Sequence, residues 1–121
     1  VAKRPRTKLH VQVENIAELM VQADLALGAG GVNTWERMCL DIESHVIITA
    51  DNQTIVNEQL NKNNYINLIG NIKSLNSTKI GMHLNKVISA NKNRLNIKNK
   101  VSYLCDGCGA SRVIKELTSF K

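Results

Sequence analysis

A chain of 121 residues has room for one modest hydrophobic core and excludes a second catalytic domain. With aromatic residues at 3% and hydrophobic residues at 43%, that core is aliphatic, which suits an interior of helices and parallel strands and excludes disorder throughout. The formal charge of +6 is uneven, because Lys62, Lys73, Lys79, Lys86, Lys92, Arg94, Lys98 and Lys100 fall in an interval from Glu58 to Asp106 that holds no other acid. Such a block is ordinarily a solvated face, with an anionic partner as the functional alternative. The few, widely separated aromatic residues offer no stacking platform, which argues against nucleic acid as that partner.

Three cysteines without a secretory signal point to a reducing, cytoplasmic compartment. No apolar run approaches the ~18 residues of a membrane span. Val rather than Met at position 1 points to a fragment, a processed chain or a domain of a longer polypeptide.

Residues Val1 to Lys8 form a basic lead-in, extended or flexible. Leu9, Val11 and Val13 alternate with His10 and Gln12, which predicts a first strand. Asn15 and Glu18 have the spacing of a helix cap with a reciprocal acid, ahead of Ile16, Leu19, Met20 and Ala23 at helical intervals. A second strand is expected at Leu25 to Leu27, followed by a turn containing Gly28, Gly30 and Gly31. Asn33 or Thr34 can cap the next helix, which uses Trp35, Met38, Cys39 and Leu40. Val46 to Ile48 reads as a strand buried on both faces. Behind it come the polar loop Ala50-Asp51-Asn52-Gln53 and a helix using Ile55, Val56, Gln59 and Leu60. Tyr65 to Ile69 predicts a fourth strand, and Ile80, Leu84, Val87 and Ile88 a helical stripe. A short helix is expected within Asn91 to Tyr103 and a last one over Ala110 to Leu117. Alternation of strand and helix predicts an α/β, Rossmann-like three-layer domain, a short parallel sheet with helices on its faces.

Ligands of open parallel sheets bind outside the carboxyl ends of the strands, and two polar loops occupy such ends, Gly28 to Thr34 and Ala50 to Gln53. Gly30 and Gly31 let a phosphate approach the backbone, and the following helix offers unpaired N–H groups. Glu36, in its first turn, is either a ribose ligand or an acid complementing the helix dipole. The dinucleotide fingerprint GxGxxG is missing, as are a Walker lysine and a serine nucleophile elbow.

Four segments together resemble a known family: Glu14 to Met20, Ala23 to Arg37, Ala50 to Gln53, and Asp106 to Ala110. They are similar to the carboxyl-terminal region of the UDP-sugar hydrolases of pseudaminic acid biosynthesis, relatives of MurG-type glycosyltransferases with the two-domain GT-B fold. The resemblance implies hydrolysis of UDP-2,4-diacetamido-2,4,6-trideoxy-β-L-altropyranose at the sugar C1–O bond. It further implies that this region grips UDP, while a His of an amino-terminal domain outside this chain prepares the attacking water. By that analogy Gly30, Gly31, Asn33 and Thr34 hold the pyrophosphate, and Glu36 binds the ribose. Asn52 and Gln53 reach the sugar or diphosphate, with Asn52 the catalytic auxiliary. No metal or other cofactor is implied. The chain departs from the family pattern at Val32, in place of a small hydroxyl residue, and at Cys108 in Asp106-Gly107-Cys108-Gly109. It departs again at Leu40-Asp41-Ile42-Glu43, which is expected to place two carboxylates near the phosphates.

Cys105 and Cys108 form a lone C-x-x-C without the further ligand pair a zinc site needs, so the thiols read as structural or incidental. His10, His45 and His83 have no Asp or Ser partner at motif spacing and read as structural or surface residues. The rival to a nucleotide-sugar hydrolase half is a noncatalytic domain of the same ancestry, fused to an acidic-sugar enzyme such as a cytidylyltransferase. Nucleic-acid binding through Lys62 to Lys100 is the weaker third reading.

Overall fold

A computed structural model describes residues 5–91 and 100–120. Its centre is a parallel sheet of three strands, β1 (Leu25–Ala29), β2 (Glu43–Ile48) and β3 (Asn67–Asn71), in the order β1-β2-β3. The helices are α1 (Ile16–Met20), α2 (Asn33–Cys39), α3 (Thr54–Lys62), α4 (Ser77–Asn91) and α5 (Gly109–Ser119). Alternation along β2 sends Val46 and Ile48 to one face and Glu43 and His45 to the other. Val46 clusters with Met38 of α2, Leu60 of α3, Ile66 and Val101, whereas His45 meets His83 of α4. The sheet therefore carries helices on both faces, as the alternation of elements predicts.

The predicted first strand does not form. Leu9 and Val11 are exposed, and Gln12 has φ +52, a left-handed kink that breaks the extended run an edge strand needs. The sheet accordingly has three strands where four were expected, and Tyr65 to Ile69 shifts to Asn67–Asn71. Of the basic lead-in, residues 5–8 are exposed and the first four lie outside the described residues. The expected helix within Asn91 to Tyr103 falls largely on residues 92–99, outside that range, and is followed by a 3-10 turn at Ser102–Leu104.

Helix entry also departs from expectation. Asn15 makes no backbone cap; its Nδ2 donates to Glu18 Oε1 at 2.8 Å. Helix α2 begins at Asn33 with Val32 in the cap position and no capping side chain, because Thr34 is turned inward. Hydrophobicity also misjudged the buried faces. In α2 it is Thr34, Arg37 and Met38 that are buried, with Trp35 exposed; in α3 it is Asn57 and Leu60, with Ile55 and Val56 exposed. Polar side chains with fixed hydrogen-bond partners set the rotation of both helices.

Candidate functional site

The carboxyl ends of the strands carry three polar segments: the glycine turn after β1, a 3-10 turn at Asp51–Gln53 after β2, and another at Ile72–Ser74 after β3. They are joined to one another. Gly30 N–H donates to Ile47 O at 3.1 Å. Asn57, 1% exposed, donates from Nδ2 to Gly30 O at 2.8 Å and to Gln53 O at 2.7 Å. Gln53 Oε1 accepts from Thr49 N–H at 3.0 Å and from Thr49 Oγ1 at 3.2 Å. Lys73 and Asp51 pair at 3.0 Å across the second and third segments, an exposed contact of little energetic weight.

Gly30 is glycine for a steric reason: a Cβ there would lie 2.5 Å from Asn57 Nδ2. Gly31 is open, with only Gln53 Nε2 nearby at 3.7 Å. The N–H groups of Gly31, Val32 and Asn33 have no hydrogen-bond partner among the described residues, so three adjacent donors stand at the start of α2.

Behind them lies Arg37, 5% exposed. Its Nη2 donates to Ala29 O at 3.0 Å and to Thr34 Oγ1 at 3.2 Å, and its Nη1 occupies the space a Cβ on Gly28 would fill. Nε is buried without a partner, and no carboxylate forms an ion pair with the guanidinium among the described residues. Burial lowers its pKa, an effect that neighbouring Glu36 partly offsets. A buried charge without a counter-ion is costly, and this one lies against Gly28 and Ala29, where the turn expected to hold an anion begins.

Of the expected site residues, Gly30, Gly31 and Gln53 are brought together. Thr34 stands at the turn, but its hydroxyl is spent between Ala29 O, at 3.4 Å, and Arg37. Asn33, Glu36 and Asn52 are exposed at the same edge and make no side-chain hydrogen bond among the described residues. Arg37 and Asn57 were missed, since neither is distinguishable by residue type from a surface helix position. Their only signal is spacing, Arg37 three residues beyond Thr34 and Asn57 four beyond Gln53.

Asp41 and Glu43 do not crowd the phosphate position as expected. Both precede or open β2, at the amino edge of the sheet. Asp41 is used to dock the following chain: its carboxylate accepts from Val101 N–H at 2.6 Å, Ser102 N–H at 2.7 Å and Ser102 Oγ at 2.8 Å. Burial pushes this carboxyl up, but the Ser102 and Val101 bonds and the Lys100 charge outweigh it and leave the pKa lowered.

Cys105 faces Cys39, with the sulfurs 3.4 Å apart, while Cys108 is exposed. His45 has a Glu beside it, with Glu43 Oε1 3.1 Å from its Nε2. Among the described residues no group of three or more His, Cys, Asp or Glu could hold a metal ion, and no helix is long and apolar enough to cross a membrane.

Together these features define an α/β domain of Rossmann type with a donor-rich turn at the carboxyl end of its first strand. No protein-family model matches the chain, and no solved structure matches it. It is 35% identical over 54 residues to the spore coat polysaccharide biosynthesis protein SpsG of Bacillus subtilis (strain 168). That match spans 45% of this chain and 16% of the Bacillus protein.

Proposed function

We propose that this domain belongs to a nucleotide-sugar enzyme and binds the diphosphate of a UDP-sugar at the turn between β1 and α2. The observation that carries the reading is Arg37, a buried cation with no anionic partner among the described residues, bonded to Ala29 O just before three backbone N–H groups that are likewise unpartnered among those residues. Oriented donors and a fixed positive charge stabilise an anion at that position. Similarity to a polysaccharide-biosynthesis protein supports sugar chemistry at the coarse level. The resemblance to the pseudaminic acid pathway hydrolases supplies the finer assignment.

In this account the N–H groups of Gly31, Val32 and Asn33 hold the pyrophosphate; Gly30, whose own N–H is committed to Ile47 O, shapes the turn, and Thr34 contributes by fixing Arg37. Glu36 binds the ribose hydroxyls. Asn52 and Gln53 reach the sugar or diphosphate, with Asn52 as auxiliary. Negative charge grows on UDP as the C1–O bond breaks, so donors that strengthen with that charge lower the barrier. In the family that the chain resembles, a His of the amino-terminal domain prepares the attacking water.

Two observations favour the rival, a noncatalytic domain of the same ancestry. Val32 projects into solvent where the family has a hydroxyl residue, and the Thr34 hydroxyl is already committed. Calorimetric titration with UDP separates them: saturable binding weakened by Glu36→Ala supports the nucleotide site, and no heat at millimolar UDP supports the degenerate domain.

A further inference from the structure

A second polar cluster lies at the amino half of the sheet, on the face opposite the Val46 core. His45, 1% exposed, places Nε2 3.1 Å from Glu43 Oε1 and Nδ1 2.8 Å from His83 Nε2. The two imidazoles meet edge to face, with centroids 4.9 Å apart. They border an open cavity of about 230 Å³ lined by Glu43, His45, Asn67, His83, Lys86 and the apolar pair Val87 and Ala90. None of these residues has a part in the nucleotide reading.

The hydrogen bonds fix where a proton can go. Glu43, ionised, accepts Nε2–H from His45; His45 Nδ1 is then bare and accepts Nε2–H from His83. That leaves His83 Nδ1 without a hydrogen-bond partner among the described residues. Protonating it keeps both existing bonds and adds an N–H, with the new positive charge connected through His45 to the Glu43 carboxylate. Lys86 stands just under one helical turn further along α4 and lines the same cavity. With His83 protonated, the charges facing it are Glu43 from β2 and Lys86 from α4, and the cavity gains a net positive charge. The one acid on the cavity wall, Glu43, is engaged by His45, so Lys86 and a protonated His83 favour an anion over a metal cation.

We infer that this cavity is a second ligand site, which takes a small molecule bearing one oxyanion group, phosphoryl or carboxylate, on a short carbon body, together with one proton on His83. Lys86 and His83 bind the oxyanion, Asn67 is within the polar wall, and Val87 and Ala90 meet the carbon body. Burial, then His45 and then Lys86 lower the pKa of His83, which favours the neutral imidazole while the cavity is empty. Linkage then requires apparent affinity to fall about tenfold per pH unit above the His83 pKa.

The test is an NMR titration of the histidine rings in the full chain, with sulfate as a phosphoryl stand-in of constant charge, acetate as the carboxylate, and chloride to match ionic strength. Exposed His10 reports non-specific screening. The expected result is an upward shift of the His83 pKa beyond that of His10, abolished by Lys86→Met and unaffected by Lys79→Met on the same helix. A larger response to sulfate assigns a phosphoryl group, and a larger one to acetate a carboxylate. Glu43→Gln weakens the anion several-fold while keeping an acceptor for His45. If His83 shifts no more than His10 with either ion, or if Lys86→Met leaves the shift intact, the site does not exist.

Discussion

Asn57 Nδ2 stands 2.5 Å from where a Cβ of residue 30 would be, and from there donates to Gly30 O at 2.8 Å. The glycine turn is therefore shaped by a helix that follows the next strand. Gly30→Ala forces the amide away and costs about 1–3 kcal/mol. Asn57→Ala strands two carbonyls and costs a similar ~1–3 kcal/mol. Combined, the two cost less than their sum, since the alanine at position 30 then fills vacated space. Urea denaturation of both single variants and the double variant measures that coupling.

Arg37 separates stability from binding. Removing a buried guanidinium relieves its desolvation while losing the bonds to Ala29 and Thr34, so Arg37→Met changes stability by only about 1 kcal/mol in either direction. UDP affinity falls at least roughly tenfold, the loss of one charge-assisted contribution. Thermal melts with and without UDP read both quantities on one sample.

Asp41 gives a pH dependence with a definite sign. Its folded pKa is depressed, so the stabilisation it confers is complete above the ordinary carboxylate range and is lost as pH falls through the folded value. Asp41 has φ +53, a conformation Asn tolerates. Asp41→Asn thus isolates the charge, lowering stability by ~1 kcal/mol at pH 7. At pH 3 or below the difference from the parent shrinks, as urea midpoints at the two pH values will record.

Thiol reactivity follows the geometry. Cys108 is exposed, whereas Cys39 is half-buried and its hydrogen bond to Cys105 raises its pKa. Iodoacetamide should label Cys108 first and Cys39 last. A small-molecule disulfide oxidant should join Cys39 to Cys105, not Cys105 to Cys108, because the first two sulfurs are 3.4 Å apart. Peptide mapping identifies the product.

Much of the architecture was legible because it rests on periodicity. The apolar Val46-Ile47-Ile48 run marked the central strand, and the glycines after Leu27 marked its neighbour's end. The first strand was misread because Leu9, Val11 and Val13 alternate correctly, yet alternation does not report whether a partner strand exists. Buried polar residues were the other blind spot. Asn57 faces inward through its bond to Gly30, which is distant in sequence and which no local pattern carries, whereas Thr34 and Arg37 bond to nearby Ala29 and to each other, a spacing that residue type alone does not single out. Glu43 and His45 are two residues apart and share a sheet face, a cue present in the sequence; His83 joins them only through the packing of α4.

The most direct test of the central claim is a titration of the ¹⁵N-labelled chain with UDP, following backbone amide shifts. The account predicts saturable shifts centred on Gly31, Val32 and Asn33, weakened at least about tenfold by Arg37→Met. Amides at those positions that stay unmoved at millimolar UDP, or a response unchanged by Arg37→Met, would contradict it.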